Sequence, residues 1–118
     1  MIGSYEDSIQ PGQQKWPARI SNIRWNPEQH TIIIRDRVVT LTPTEYRLLS
    51  PLLPGEPVTY ANLARQSYDR SLDIKVRKMM DKHIDRIRGK LQMTGAYIYC
   101  VLNYGYILLN EVFPEKEV

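Results

Sequence analysis

Residues 73–91 read DIKVRKMMDKHIDRIRGKL, and this stretch decides the fold. On a helix with about 100° between successive residues, its apolar side chains fall on one side and a row of cations falls on the opposite side. Asp73 precedes the pattern and is predicted to cap the helix, because its carboxylate can accept a free backbone N–H of the first turn. The sequence therefore predicts a helix over 74–91 with a packed back and a basic front. The apolar side comprises Val76, Met80, Ile84, Ile87 and Leu91, and the cationic side comprises Lys75, Lys78, Lys82 and Arg86.

Positive charge is concentrated on this predicted helix. Residues 75–90 contain seven Lys or Arg and two Asp, whereas the whole chain of 118 residues has a net charge of only +3. A basic helix surface that is packed on its back is a usual way of presenting cations to a phosphate backbone. Charge alone leaves open the alternative of an ordinary solvated helix surface, so the neighbouring elements must decide between the two.

Length and composition narrow the class of protein. With 118 residues, of which 42% are hydrophobic, the chain is one globular domain at most. The single cysteine, Cys100, excludes an internal disulfide, and no apolar run approaches the roughly 18 residues of a membrane span. The N-terminus lacks the pattern of a secretion signal. We therefore predict a cytoplasmic protein with no membrane contact.

The sequence contains no catalytic or metal-binding constellation. It has no Ser-His-Asp order, no paired carboxylates in an apolar setting and no glycine-rich phosphate loop. His30, His83 and Cys100 lie too far apart in the chain to suggest a metal site. We predict that the protein is not an enzyme and uses no cofactor. His83 is predicted to be buried or half-buried with a hydrogen bond, and His30 to be exposed.

The residues before the helices are typical of short antiparallel strands. Residues 31–35 and 38–41 are rich in β-branched side chains and predict a hairpin with a two-residue turn at 36–37. Residues 20–25 predict a shorter first strand, which completes an antiparallel meander. The polar residues 1–18 are predicted to be a flexible arm, with Lys15 and Trp16 as candidate contacts.

Two further helices and a second hairpin complete the predicted domain. Thr42, Pro43 and Glu45 form a capping box with proline in its preferred first position, and Pro51 is expected to bend or shorten this helix. Thr59 is the predicted N-cap of the next helix. Together with the basic helix, these segments predict a helix-turn-helix, and the hairpin at 97–109 fits its wing. The predicted fold class is α+β: a winged helix-turn-helix with an N-terminal antiparallel β meander, three helices and a C-terminal β-hairpin wing. The domain is expected to span 19–110, followed by an acidic tail over 111–118.

Four motifs in this order carry a resemblance to a known family. They are LTPTEYRLL at 41–49, VT at 58–59 followed by NLA at 62–64, DKHIDRIRGKL at 81–91 and YGY at 104–106. Together they resemble the OmpR/PhoB-type winged-helix DNA-binding domains, the output domains of bacterial response regulators. The resemblance covers about 20–109. It implies a sequence-specific, nucleoid-associated regulator of transcription that binds double-stranded DNA as a homodimer, with its basic helix in the major groove.

The wing departs from the pattern of the family. Family members usually carry an arginine there that enters the minor groove, whereas this chain has Leu102 and Asn103 at the corresponding positions. Asn103 and Tyr104 are therefore the candidates for contacts to the DNA backbone or sugars. Leu102 favours a second hypothesis, a winged-helix protein–protein module that contacts RNA polymerase or acts as an anti-repressor. The row of cations on the basic helix favours DNA.

The resemblance also suggests a role for individual side chains. Arg86 corresponds to a position that commonly faces bases, and a guanidinium can bind guanine through two hydrogen bonds. Lys75 and Arg88 are expected at phosphates, with pairing to a core-side acid as the alternative for Arg88. Thr42 and Thr44 could donate to phosphate or cap their helix. Arg77 is expected to pair with Asp81 four residues later. The predicted DNA-binding residues are Lys75, Lys78, Lys82, Asp85, Arg86, Arg88, Lys90, Thr42, Thr44, Asn103 and Tyr104.

Overall fold

The computed structural model describes residues 8–9, 19–20 and 22–111. Within these residues no helix is both long and apolar enough to cross a membrane. The elements in chain order are β1 (Ser8–Ile9), β2 (Ile23–Asn26), β3 (Thr31–Ile34), β4 (Arg37–Thr40), α1 (Pro43–Leu49), a 3-10 turn (Ser50–Leu52), β5 (Val58–Thr59), α2 (Tyr60–Tyr68), α3 (Ile74–Lys90), β6 (Ala96–Val101) and β7 (Gly105–Asn110).

The strands form two sheets. Strands β2, β3 and β4 make the predicted antiparallel meander, and the second sheet has the order β1-β6-β7-β5. The α+β winged helix-turn-helix architecture predicted from the sequence is thus confirmed. Strand β1, which pairs in parallel with Cys100 and Val101 of β6, was not predicted. Lys15, Trp16 and the tail after residue 111 lie outside the described residues, so the boundaries of arm and tail stay predictions.

The turn of the first hairpin lies one residue earlier than predicted. Ile34 pairs with Arg37, so the two turn residues are Arg35 and Asp36 rather than 36–37. Both have positive φ angles, of 48° and 68°, as a type I′ turn requires. A left-handed arginine is unfavourable, but the Arg35 guanidinium donates to the Thr94 carbonyl at 3.0 Å and to the side chain of Asn110. These contacts offset the backbone strain and tie the meander to the C-terminal hairpin.

The helices begin where the sequence predicts them to begin. Thr42 and Glu45 form the capping box, with the Thr42 hydroxyl accepting from the Glu45 N–H at 3.1 Å and the Glu45 carboxylate accepting from the Thr42 N–H at 2.9 Å. Thr59 and Asp73 cap α2 and α3 in the predicted way. Helix α1 ends at Leu49, and Pro51 falls in the 3-10 turn that follows. Proline lacks the N–H that a continuing α-helix needs, which accounts for the early end.

The core lies between the helices and both sheets. Helix α3 buries its predicted apolar side, and each of those side chains is at most 1% exposed. One face of the β6–β7 hairpin belongs to this main core, and its other face forms a second buried cluster. This cluster comprises Tyr99, Val101, Ile107 and Leu109. The α3 side chains in the main core are Val76, Met80, Ile84, Ile87 and Leu91.

Candidate nucleic-acid interface

Four cations form a continuous row on the outer surface of α3, and we call this row the cationic stripe. All four side chains are exposed, and within residues 22–111 none of them forms an ion pair. At 1.5 Å of rise per residue, the stripe extends over about 16 Å along the helix. It therefore offers unneutralised positive charge along one side of a helix whose other side is fixed in the core. Its members are Lys75, Lys78, Lys82 and Arg86.

One flank of α3 is joined to α2 and to the wing by a polar network around Asp81. The Asp81 carboxylate accepts from Arg77 at 3.2 Å, which confirms the predicted pair, and from the Tyr106 hydroxyl of β7. The Arg77 guanidinium also lies 3.6 Å from the ring centroid of Tyr60, the first residue of α2. Burial, and then the hydrogen bond to Asp81, raise the pKa of Tyr106, so this hydroxyl stays a neutral donor. The network fixes the wing relative to α3.

Arg88 is held inside the domain. Its Nε and Nη2 donate to the Ile98 carbonyl of β6 at 2.9 and 2.8 Å, and its Nη1 lies 3.2 Å from Asp85 Oδ1. The side chain is only 17% exposed, whereas that of Asp85 is 74% exposed. The sequence left open a pairing with a core-side acid, but the acid that Arg88 contacts is exposed, and its main partner is the Ile98 carbonyl. All three guanidinium nitrogens have partners, so a phosphate contact by Arg88 is not favoured.

Lys90 is also engaged within the domain. Its Nζ lies 2.6 Å from Glu45 Oε1, and the Glu45 side chain is 3% exposed. Burial alone would raise the pKa of Glu45, but the hydrogen bonds from Lys90 and Thr42 outweigh it and hold the pKa below its ordinary value. Lys90 therefore neutralises the buried carboxylate of the capping box, and its predicted place among DNA contacts is not supported by its position.

The pH dependence of unfolding should report the contact between Lys90 and Glu45. Because the pKa of Glu45 is lowered in the folded state, its contribution to stability is complete above its ordinary pKa of 4.5 and is lost as the pH falls through the lower folded value. Urea unfolding between about pH 7 and pH 3 should show this loss, and Glu45→Gln should flatten that part of the profile. Glu28→Gln, at an exposed turn position, is the control and should leave the profile unchanged. A wild-type slope in Glu45→Gln would contradict the assignment.

Three further predicted residues have intramolecular roles. The Thr42 hydroxyl is the cap of α1, and Thr44 is half-buried, with its hydroxyl 3.5 Å from Arg47 Nη2. Both hydroxyls accept in these contacts and keep their own protons, so the predicted donation to phosphate stays a prediction for Thr42 and Thr44. His83 is half-buried, with its Nδ1 2.8 Å from the Tyr68 hydroxyl, as predicted. Burial raises the pKa of Tyr68 to about 12. His30, predicted to be exposed, is half-buried edge-on against Tyr46.

The tip of the wing is uncharged. Leu102 and Tyr104 are 41% and 40% exposed, and Asn103 between them adopts a left-handed conformation with φ of 59°. The Tyr104 carbonyl accepts from the Tyr60 N–H at 2.9 Å, which anchors the tip to the start of α2. Asn103 and Tyr104 thus stand at an accessible and fixed position, as their predicted role requires. Across residues 8–9, 19–20 and 22–111, no group of three or more potential metal ligands occurs.

Sequence reasoning missed an apolar residue on the outer surface of α3. Ile74, the first residue of the helix, is 76% exposed. The helical pattern identified the buried apolar side and treated the opposite side as purely cationic. A large apolar residue out of phase with the buried side was the available signal.

Fold and surface together define a winged helix-turn-helix domain with a basic outer surface on its third helix. Residues 36–108 match the family described as transcriptional regulatory protein, C terminal, which is more than half of the chain. The chain belongs to this family of DNA-binding transcriptional regulators, which confirms the resemblance and the function class predicted from its motifs. A comparison with curated proteins finds no match.

Solved structures with the same fold include several DNA-binding domains of response regulators. The DNA-binding domain of response regulator AdeR, in complex with an intercistronic region, is 26% identical with a TM-score of 0.62, covering 76% of this chain and 95% of that one. The C-terminal domain of the nisin resistance regulator NsrR is 25% identical with a TM-score of 0.60, covering 76% and 94%. The DNA-binding domain of CpxR from E. coli, 20% identical with a TM-score of 0.63 over 83% and 100%, is similar in fold.

Proposed function

We propose that this domain recognises double-stranded DNA by placing α3 in the major groove with the cationic stripe toward the DNA. The observation that carries the proposal is the stripe itself, four exposed cations that form no ion pair within residues 22–111, on a helix whose other side is buried. A helix of about 10–12 Å diameter fits the major groove, which is about 12 Å wide. The complex of the AdeR domain with an intercistronic region supports the same kind of ligand.

Each member of the stripe has a role that follows from its position. Arg86 binds a guanine edge, and Lys78 and Lys82 beside it contact bases or phosphates. Lys75, in the first turn of α3, holds a phosphate. Asp85 pairs with Arg88 through Oδ1, and its exposed carboxylate would be repelled by phosphates, so it either orients Arg86 or Lys82 or accepts from a cytosine amine. Arg88 and Lys90 are left out of this interface because their donor groups are engaged within the domain, whereas the hydroxyls of Thr42 and Thr44 only accept there and can still donate to a phosphate.

The wing contributes uncharged contacts in this proposal. Asn103 and Tyr104 are exposed at its tip and can donate to phosphate or sugar oxygens. Since Leu102 and Asn103 stand where the family usually has an arginine, no cation enters the minor groove from the wing. This part of the interface positions the domain and reads no sequence.

Two copies on repeated half-sites are proposed because a single small module buries limited surface on DNA. The activity is binding, with no chemical step, and it takes place on the nucleoid in the cytoplasm. RNA polymerase is a further proposed partner. The exposed Leu102 and the uncharged wing favour, as a second candidate function, a module that binds RNA polymerase or a repressor rather than DNA.

Selection of bound sequences from a random double-stranded pool at near-physiological salt tests the proposal. Enrichment of one motif, repeated as two direct or inverted half-sites, is the expected result, and its spacing gives the geometry of the dimer. Failure to enrich any sequence, together with weak binding that depends little on salt, would favour the protein–protein module.

Lys75→Ala should weaken binding to every sequence by a similar factor. A lysine at a phosphate carries no sequence information, and its loss should reduce the magnitude of the slope of log K against log salt by about 1. Binding to the selected site and to a scrambled site, each measured over a salt series, checks this. Arg24→Ala removes an exposed cation from β2, outside the proposed interface, and should leave the slope unchanged. A change of base preference in Lys75→Ala would contradict the phosphate role.

A further inference from the structure

Helix α3, the proposed recognition helix, begins with an exposed apolar residue. Ile74 is 76% exposed, and among the described large hydrophobic residues only Met93 is exposed to the same extent. Leu72, two residues earlier, is also exposed, at 39%. Isolated apolar side chains are common on protein surfaces, so exposure alone does not show that Ile74 has a function. Its position in the fold provides the further evidence.

The fold itself does not require isoleucine at this position. The cap of α3 consists of the Asp73 carboxylate accepting from the Val76 N–H at 2.8 Å, and Ile74 takes no part in it. First-turn positions favour proline and acidic residues, while β-branched side chains lose rotamer freedom in helices. An exposed isoleucine therefore contributes little to this helix and leaves apolar surface in water.

Ile74 lies on the same side of α3 as the cationic stripe. At about 100° per residue, Ile74 lies about 40° around the helix from Lys78 and about 20° from Asp85. It precedes Lys78 by one turn and stands at the N-terminal end of the stripe. In helix-turn-helix proteins the N-terminal residues of the recognition helix contact base edges.

We infer that Ile74 contacts the C5-methyl group of a thymine and so determines part of the sequence preference. The inference rests on the proposed binding of α3 in the major groove. Among the groups that base pairs present there, the thymine methyl is the apolar one. An apolar protein surface would fit Ile74 poorly, because it would also have to bury the neighbouring charges of Lys75 and Lys78. DNA offers phosphates to the lysines and a methyl group to the isoleucine.

Replacement of single thymines by deoxyuridine tests the inference, because it removes the methyl group and leaves all hydrogen-bonding groups in place. Each thymine of the selected site is replaced in turn, and the dissociation constant is measured for the wild type and for Ile74→Ala. One replacement should weaken wild-type binding about fourfold, the factor expected for one buried methyl group. The same replacement should have no effect on Ile74→Ala, since its side chain cannot reach the methyl group.

Two variants make the experiment specific. Ile74→Val keeps a β-branched apolar side chain and should retain most of the sensitivity to deoxyuridine. Met93→Ala removes an equally exposed apolar residue beyond the end of α3 and should behave as the wild type. An undiminished deoxyuridine effect in Ile74→Ala, or no effect of any replacement on the wild type, would overturn the inference while leaving DNA binding intact. If no motif is enriched at all, the proposed function fails first and this inference falls with it.

Discussion

Gly105→Ala is expected to lower the free energy of unfolding by about 3 kcal/mol, because the methyl group has no space in the sheet. A Cβ built on Gly105 lies 1.7 Å from the Val58 carbonyl oxygen and 2.9 Å from the Thr59 Cα, both of which are backbone atoms. The side chain cannot escape by rotation, so β5 would have to separate from β7. That separation would break the pairing of Val58 and Thr59 with β7.

The same substitution at Gly89 is the matched control. Apart from the backbone of α3 itself, no described atom lies within 4 Å of a Cβ built on Gly89, which is exposed within α3. Alanine has the higher helix propensity, so Gly89→Ala should raise the free energy of unfolding by about 0.5–1 kcal/mol. Urea unfolding of both variants, compared at equal m values, measures the two effects. A loss below about 1 kcal/mol for Gly105→Ala would mean that β5 can shift without cost, contrary to the close approach described here.

Local patterns were sufficient to predict the helices. The spacing of apolar and charged residues in α3 identified its buried side correctly. A helix turns once every 3.6 residues, so the spacing alone tells which side chains share a side. The capping box of Thr42 and Glu45 was equally readable, since both partners lie within four residues of each other. These features need no knowledge of the rest of the chain.

Contacts between distant residues could not be predicted in the same way. In the sequence, Lys90 resembles the other cations of α3, yet its partner Glu45 lies 45 residues away in another helix. Arg88 likewise depends on the carbonyl of Ile98, a backbone group that no side-chain pattern reveals. The parallel pairing of Ser8 in β1 with Cys100 in β6 could not be predicted either, because it too joins residues that are far apart in the chain. Periodicity identifies which side of an element is buried, and it carries no information about the partner.

The misplaced turn between β3 and β4 has a different cause. Three consecutive isoleucines, residues 32–34, give no alternation from which the register could be read. The type I′ turn at Arg35 and Asp36 also lacks the Asn-Gly or Asp-Gly pair that usually marks it. What holds Arg35 there is its contact with Thr94, 59 residues later. A tertiary contact has therefore determined a local conformation.

Arg86→Ala is expected to weaken binding to the selected DNA site roughly 5- to 150-fold, which corresponds to about 1–3 kcal/mol, and to relax preference at one base pair. Arg86 is exposed on the outer surface of α3, about one turn before the helix ends at Lys90, and has no ion-pair partner within residues 22–111, so its guanidinium remains available for a guanine edge. Removal of the side chain should leave folding unaffected, because none of the core depends on it.

Arg86→Lys separates the charge of this side chain from its geometry. Lysine keeps the positive charge, so binding to scrambled DNA and its salt dependence should stay close to those of the wild type. It cannot reproduce the two parallel hydrogen bonds of a guanidinium, so discrimination against a replaced guanine should fall as it does in Arg86→Ala. Competition between the selected site and single-base variants measures this discrimination. If both variants kept wild-type affinity and preference, the reading surface would have to lie elsewhere on the domain, because charge and hydrogen-bond geometry would both have been removed without effect.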